Sequence, residues 1–239
     1  MGDTMHAGRV VIRGDARDVV GQALQGGEIF VRGNVGNRAA IQMREYGSRR
    51  PFLVVGGSAD DYLGEYMAGG VAIVLGLGID DREARLVGRF AGTGMVGGKI
   101  YVRSRVRSDA VGLPPQREDV VNYLDSLRLD GTLDESTYEL IVGRESIDHR
   151  LLRRTLPPGL FKKVERFYIS RYTKPLAKDY RALSSDESKE LVPRLLEYSK
   201  CFGINKEISD ELIASKFTII QPESAMKPLD KATEEIAED

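Results

Sequence analysis

Cysteine, tryptophan and histidine are nearly missing from this chain: one Cys (Cys201), no Trp and two His (His6 and His149) in 239 residues. A lone thiol excludes an internal disulfide and fits a reducing compartment. The histidines lie far apart, with no cysteine at ligand spacing, so no metal site is expected. No apolar run approaches the roughly 18 residues that span a bilayer, and the N-terminus lacks the apolar core of a signal peptide. The expected location is therefore cytoplasmic, away from membranes. An excess of either charge is also missing, with 35 Lys and Arg against 36 Asp and Glu. That balance makes no case for nucleic acid as a partner.

Glycine, by contrast, is abundant: 26 residues, about 11% against a usual ~7%. The excess follows a repeat. Met5-His6-Ala7-Gly8 leads into Arg9-Val10-Val11-Ile12-Arg13-Gly14, and Leu24-Gln25-Gly26-Gly27 into Glu28-Ile29-Phe30-Val31-Arg32-Gly33. Met67-Ala68-Gly69-Gly70 precedes Val71 to Gly76, and Met95-Val96-Gly97-Gly98 precedes Lys99 to Arg103. A weaker copy, Met43 to Gly47, precedes Phe52 to Gly56. The leading residues are spaced 19, 19, 24 and 28 apart. Such a step marks a stacked array, because a unit this short cannot bury a core alone.

Alternation within each phrase predicts a strand. Counted from the opening glycine, Val10 and Ile12, Ile29 and Val31, Phe52 and Val54, Ala72 and Val74, and Ile100 and Val102 point inward. Gly8, Gly14, Gly27, Gly33, Gly36, Gly56, Gly70, Gly76 and Gly98 are read as structural turn glycines. The expected fold of residues 1–107 is a right-handed parallel β-helix, a β-solenoid with one strand per coil. Val11, Phe30, Leu53, Ile73 and Tyr101 alternate with the inward set and form an apolar ladder on the outside. Arg9, Arg13, Glu28, Arg32, Lys99 and Arg103 fringe it. Such a bordered apolar patch is a candidate interface, to be covered by the second half of the chain or by a partner protein.

Glycine thins out near Gly112-Leu113-Pro114-Pro115, and helical spacing takes over. Residues 108–222 are predicted to be a mainly α-helical region packing on the first half or on a partner. Helices are read at Glu118 to Leu127, from Asp134-Glu135-Ser136, over Phe161 to Tyr172, after Ser185-Asp186-Glu187-Ser188, and over Glu207 to Ile213. Phe217 to Ile220 reads as a short strand. Residues 223–239 mix lysine with many acids and are expected to be a mobile tail.

Isolated motifs reduce to structure. Gly92-Thr93-Gly94-Met95-Val96-Gly97 has the spacing of a dinucleotide loop, but a strand follows where that loop needs a helix. Asp60-Asp61 and Asp80-Asp81 are adjacent acids whose side chains diverge in extended chain. Cys201 has no base beside it in sequence. The clusters Arg49-Arg50, Arg103 to Arg107 and Arg150 to Arg154 are solvated faces, salt-bridged edges, or a docking surface for an acidic partner or anion. No catalytic, cofactor-binding or metal-binding residue is assigned.

The stretches Gly27 to Asn37, Gly57 to Gly78 and Gly92 to Val102 resemble the GXGXG domain, with the likeness covering roughly residues 5–104. That domain closes the large chain of glutamate synthase, and a version of it forms one component of formylmethanofuran dehydrogenase. The resemblance implies the parallel β-helix already suggested by the repeat. It also implies a non-catalytic scaffold subunit of a split glutamate synthase, which makes two glutamates from glutamine, 2-oxoglutarate and reductant. The implied partners are a glutamine amidotransferase chain and an FMN-binding synthase chain. FMN and iron–sulfur clusters are expected on those partners, and none in this chain. Self-association into a homo-oligomer is compatible with the same reading. The alternatives are a component of a formylmethanofuran dehydrogenase or related molybdenum or tungsten complex, and a free-standing enzyme with a cleft between the two halves.

Overall fold

The computed structural model describes residues 1–79, 85–107, 110–113, 117–145, 147–171 and 176–222. Asp80-Asp81 and the expected tail at 223–239 lie outside the described residues. Five strands follow the five phrases: β1 (Arg9–Ile12), β2 (Glu28–Val31), β3 (Phe52–Val55), β4 (Ala68–Val74) and β5 (Gly97–Val102). Next come helices α1 (Arg117–Leu129), α2 (Glu135–Val142), α3 (His149–Thr155) and α4 (Pro158–Arg171). The chain continues as β6 (Leu176–Ala182), α5 (Ser185–Phe202), α6 (Lys206–Ala214) and β7 (Lys216–Pro222). Contacts divide it into two compact units: Met1–Gly112 with the chain from Leu176 on, and Leu113–Pro175.

The strands form one seven-stranded mixed sheet, ordered β1-β2-β3-β4-β5-β7-β6. The first five pair in parallel, and β7 and β6 add antiparallel at the β5 edge. This corrects the expected β-helix: among the described residues the strands form one open sheet and no closed solenoid. The second half holds, among the described residues, six helices and two strands; β7 covers the expected Phe217 to Ile220, whereas β6 has no counterpart in the sequence reading. The physical reason for the open sheet lies in the rest of each repeat. Across from the strands, successive segments share isolated bridges such as Val35 to Ala59 and Ala59 to Val87 in place of a continuous strand ladder. Their backbone alternates into the left-handed region every second residue, at Arg38, Ala40 and Gln42 (φ +58°, +58° and +55°) and at Tyr62, Gly64 and Tyr66 (+63°, +69° and +54°). Flipping alternate peptides sends Arg38 N–H to Asp61 O and Gln42 N–H to Glu65 O, both at 2.8 Å, while Ala40 N–H points the other way, to Val20 O at 2.7 Å. Such a segment satisfies its backbone between repeats without becoming a strand.

Most of these left-handed residues are not glycine, which costs roughly 1–2 kcal/mol each. Val19 (φ +53°) is among the most adverse, being β-branched and partly exposed. Val19→Gly is therefore expected to leave stability unchanged or raise it by about 1 kcal/mol, since relief of strain outweighs added chain entropy. Thermal melting of the variant checks this.

The Gly-Gly leads divide two tasks. At Gly97 a Cβ would overlap Ala68 O of the neighbouring strand, whereas Gly98 sits at φ +81°. The first glycine permits close approach; the second permits the conformation and a close approach to Gly70 O as well. In the polar turns a third cause appears. Asp15 Oδ1 accepts from Asn34 N–H at 2.7 Å, and Asn34 Oδ1 accepts from Ser58 N–H at 2.9 Å and Ser58 O–H at 3.0 Å. A parallel column runs from Asp18 through Asn37 and Asp61 to Arg89 N–H. Gly33, Gly36, Gly57 and Gly88 precede the donors, and a Cβ on any of them would overlap the accepting side chain below. Asn34→Ala leaves one rung without its acceptor and is expected to cost about 1 kcal/mol in chemical denaturation.

Two cores flank the sheet. One holds Ile29, Val31, Leu53, Val55, Ala72, Val74, Ile100 and Val102 against the turn segments. The repeat leads Leu24, Met43, Met67 and Met95 stack there, each fully buried. The second core, on the other face, joins Phe30, Phe52, Val54, Val71, Ile73 and Tyr101 to α5, α6 and β7. The unit Leu113–Pro175 has its own core around Val120, Leu124, Leu127, Ile141, Leu152 and Val164.

Candidate functional site

The sheet face that carries the candidate interface residues is already occupied. Leu191, Leu195 and Tyr198 of α5, Leu212 of α6, and Phe217 and Ile219 of β7 pack over Phe30, Ile73 and Tyr101, and these three are at most 1% exposed. The ring of Phe30 meets that of Tyr198 edge-on at 5.6 Å, and Tyr101 meets Phe217 at 6.3 Å. Tyr198 O–H donates to Val31 O at 3.1 Å, and burial pushes its phenol up to about 12.

Two of the five residues stand elsewhere. Val11 lies on the edge strand and is 39% exposed. Leu53 lies on the opposite face, because β3 pairs one residue out of the expected alignment: Glu28 faces Phe52, and Ile29 faces Leu53. Phe52 and Val54 thus take the outer positions and Leu53 and Val55 the inner ones. Among the turn glycines, Gly8, Gly27, Gly70, Gly76 and Gly98 have positive φ. Gly14, Gly33, Gly36 and Gly56 do not; a Cβ on Gly33, Gly36 or Gly56 would overlap a neighbouring rung, and one on Gly14 would meet open space.

A margin of ion pairs rings the covered face. Arg9 reaches Glu28 at 2.6 Å and Glu197 of α5 at 2.7 Å, while stacking over Phe30 at 5.0 Å. Arg50 reaches Glu190 at 2.9 Å, and Arg103 reaches Glu211 at 3.2 Å. The centre of this electrostatic arrangement is Glu187, only 5% exposed. It accepts from Lys99 Nζ at 3.0 Å, Tyr101 O–H at 3.2 Å, Arg181 at 2.7 and 3.1 Å, and Ser184 N–H at 2.9 Å. Glu187 is also the third residue of α5, whose N-cap is Ser184, so one carboxylate closes a capping box and joins α5 to β5 and β6. Burial pushes this carboxyl up, but Arg181, the Ser184 N–H and Lys99 together hold it far below the ordinary carboxylate range. Burial, followed by the charge of Glu187, raises the Tyr101 phenol.

This arrangement fastens a helix; it does no acid–base work. A general acid or base near neutral pH needs a proton it can exchange, and Glu187 stays ionised with its oxygens occupied. His6 packs edge-on to Tyr46 at 6.3 Å, and Cys201 is half-buried beside the second core. Among the described residues, no cluster of three His, Cys, Asp or Glu could hold a metal, and no helix is long and apolar enough to cross a membrane. Gly92 and Gly94 are left-handed corner residues (φ +73° and +69°) that lead into β5, so the dinucleotide-loop spacing is a turn. A row of outward aromatics escaped the sequence pattern. Arg38 stacks over Tyr62 at 5.3 Å, and Tyr62 lies 4.9 Å from Phe90. These residues occupy the same left-handed position in successive repeats, a register hidden by their unlike chemistry.

The geometry defines a repeat-built parallel sheet whose outer face is sealed by the same chain. Residues 1–112 match the model of the GXGXG motif family, a match consistent with a glutamate synthase-related domain. The chain is also similar to an uncharacterized protein, MJ1350, of Methanocaldococcus jannaschii, with 45% identity over 81 residues. That alignment covers 34% of this chain and 31% of the relative.

Proposed function

We propose that the protein is a non-catalytic scaffold subunit of a split glutamate synthase complex in the cytoplasm. The carrying observation is the GXGXG match over residues 1–112. That region contributes five strands and stacked turns, and its polar side chains serve the fold. Asp15, Asn34 and Asp18 bind neighbouring turns, while Arg9 and Lys99 fasten α5. Within the complex, glutamine would be hydrolysed on an amidotransferase chain, and the 2-oxoglutarate adduct reduced on an FMN- and iron–sulfur-bearing chain. This protein would set the distance and orientation between the two.

The test is reconstitution from the native source. The chain alone should have no glutamine- or 2-oxoglutarate-dependent activity, and a tagged copy should recover both catalytic chains under mild conditions. Recovery of molybdenum- or tungsten-enzyme chains instead would assign it to a complex of the formylmethanofuran dehydrogenase type. Turnover by the isolated chain would sink the scaffold reading.

A further inference from the structure

We propose that the exposed side of α3 and α4 is a docking surface for an acidic patch on a partner protein. This inference rests on the scaffold reading and names the part of the chain that meets a partner. Residues 149–171 contain seven Lys and Arg and a single acid, Glu165. Arg150, Arg153, Arg154, Lys162, Lys163 and Arg166 are all exposed. Arg150 is three and four residues from Arg153 and Arg154, and Arg166 is three and four from Lys163 and Lys162. Each set therefore shares a helix face, and the two helices are joined by only Leu156 and Pro157.

The fold does not use this charge. Among the described residues none of the six forms an ion pair or a side-chain hydrogen bond; Lys163 lies near the carboxylate of Asp130. Four acids of the same unit are committed elsewhere. Asp134 caps α2 by accepting from Thr137 N–H at 2.9 Å, and Asp148 caps α3 by accepting from Leu151 N–H at 2.7 Å. Asp125 and Glu135 hold Arg128 at 2.8 and 2.9 Å. Neither α3 nor α4 has an acid in its first turn, where the helix dipole favours one. Like charges at these spacings work against α4, whereas in α3 the last-turn position of Arg153 and Arg154 offsets part of their repulsion from Arg150. A surface kept at such a cost, and unused internally, is complementary to a carboxylate-rich surface outside.

Nucleic acid fits less well. The chain as a whole carries −1 with a pI near 6.2. Phe161 packs into the helical core and offers no platform for a base.

The experiment uses the full chain, co-expressed with the amidotransferase and FMN-binding chains of its source, and compares it with R153E/R154E/K162E/R166E. The expected result is a fall of about tenfold or more in association rate with one of those chains, as for steered complexes. Wild-type binding should weaken between about 0.01 and about 0.15 M salt, as the screening length falls from about 30 to about 8 Å, while the variant stays flat. The glutamine counterpart, R153Q/R154Q/K162Q/R166Q, should show a smaller loss in the same direction, and it carries the test if the glutamate variant melts early. Equal binding and equal salt dependence in both would overturn this inference and leave the scaffold reading intact. A short DNA duplex that bound the same residues and displaced the partner chain would overturn it too. Recovery of neither chain by the wild type would remove both readings.

Discussion

Phe30→Ala is expected to destabilise the protein by about 3–5 kcal/mol, and Val11→Ala by less than about 0.5 kcal/mol. Both residues occupy the middle outward position of their strands and pair directly, β1 to β2. Only one is covered. Phe30 is fully buried, sandwiched between the Arg9 guanidinium and the Tyr198 ring, whereas Val11 remains 39% exposed. Deleting the ring removes transferred apolar surface and leaves a cavity that the sheet, fixed by ladders on both sides, cannot close. Equilibrium unfolding in urea, with the two variants in parallel, measures the difference. Near-equal losses would mean that α5 does not seat on this face.

The contrast also marks how far a sequence can be read here. Four of the five phrases share a clear lead and a polar residue or glycine at the strand mouth, so their alignment follows from the repeat. The copy at β3 keeps its lead, Met43, but has no polar residue or glycine at the strand mouth. Pro51 stands where the other repeats have their second glycine, and all four residues of Phe52–Val55 are buried. When both faces of a strand are apolar, alternation carries no information, and a shift by one residue costs nothing in the pattern. The shift exchanges Leu53 for Phe52 and Val54 on the outer face.

A closed β-helix follows only if strand periodicity extends to the whole repeat. What prevents it is a backbone whose φ changes sign at alternate residues, carried by Val19, Arg38, Ala40 and Tyr62, residues that do not announce it. β6 is hidden differently. Its sequence, Leu176 to Ala182, is charged and low in β-branched residues, as suits an edge strand guarded against further pairing. Its place comes from β7, and Lys178 extends to donate to Val106 O at 2.7 Å. The family resemblance is legible because it rests on glycines, whose reasons are steric and local. The ion cluster is not, because Lys99, Arg181 and Glu187 come together only when α5 lies across the sheet.

Glu187 should therefore make that closure pH-dependent. Its folded pKa lies below the ordinary 4.5 of an exposed glutamate. A depressed carboxylate adds stability that is fully present above the unfolded pKa and is lost as pH falls toward the folded one. At neutral pH, Glu187→Ala should cost about 2–4 kcal/mol: it breaks a buried ion cluster and removes half of a capping box. The lower part of that range applies if Lys99 and Arg181, whose side chains are 31% and 39% exposed, rehydrate once the carboxylate is gone. Glu187→Gln keeps an acceptor for the Ser184 N–H and should lose less. Below pH 4.5 the wild type should weaken while both variants lose less with each step of acid, so the gap narrows from the wild-type side. Melting temperatures across that range, read beside the same series for Glu211→Gln, separate the buried carboxylate from a 69% exposed one that pairs with Arg103 on the same face. A constant gap between wild type and Glu187→Gln from neutral to acid pH would show that the carboxylate's charge does not hold α5 to the sheet.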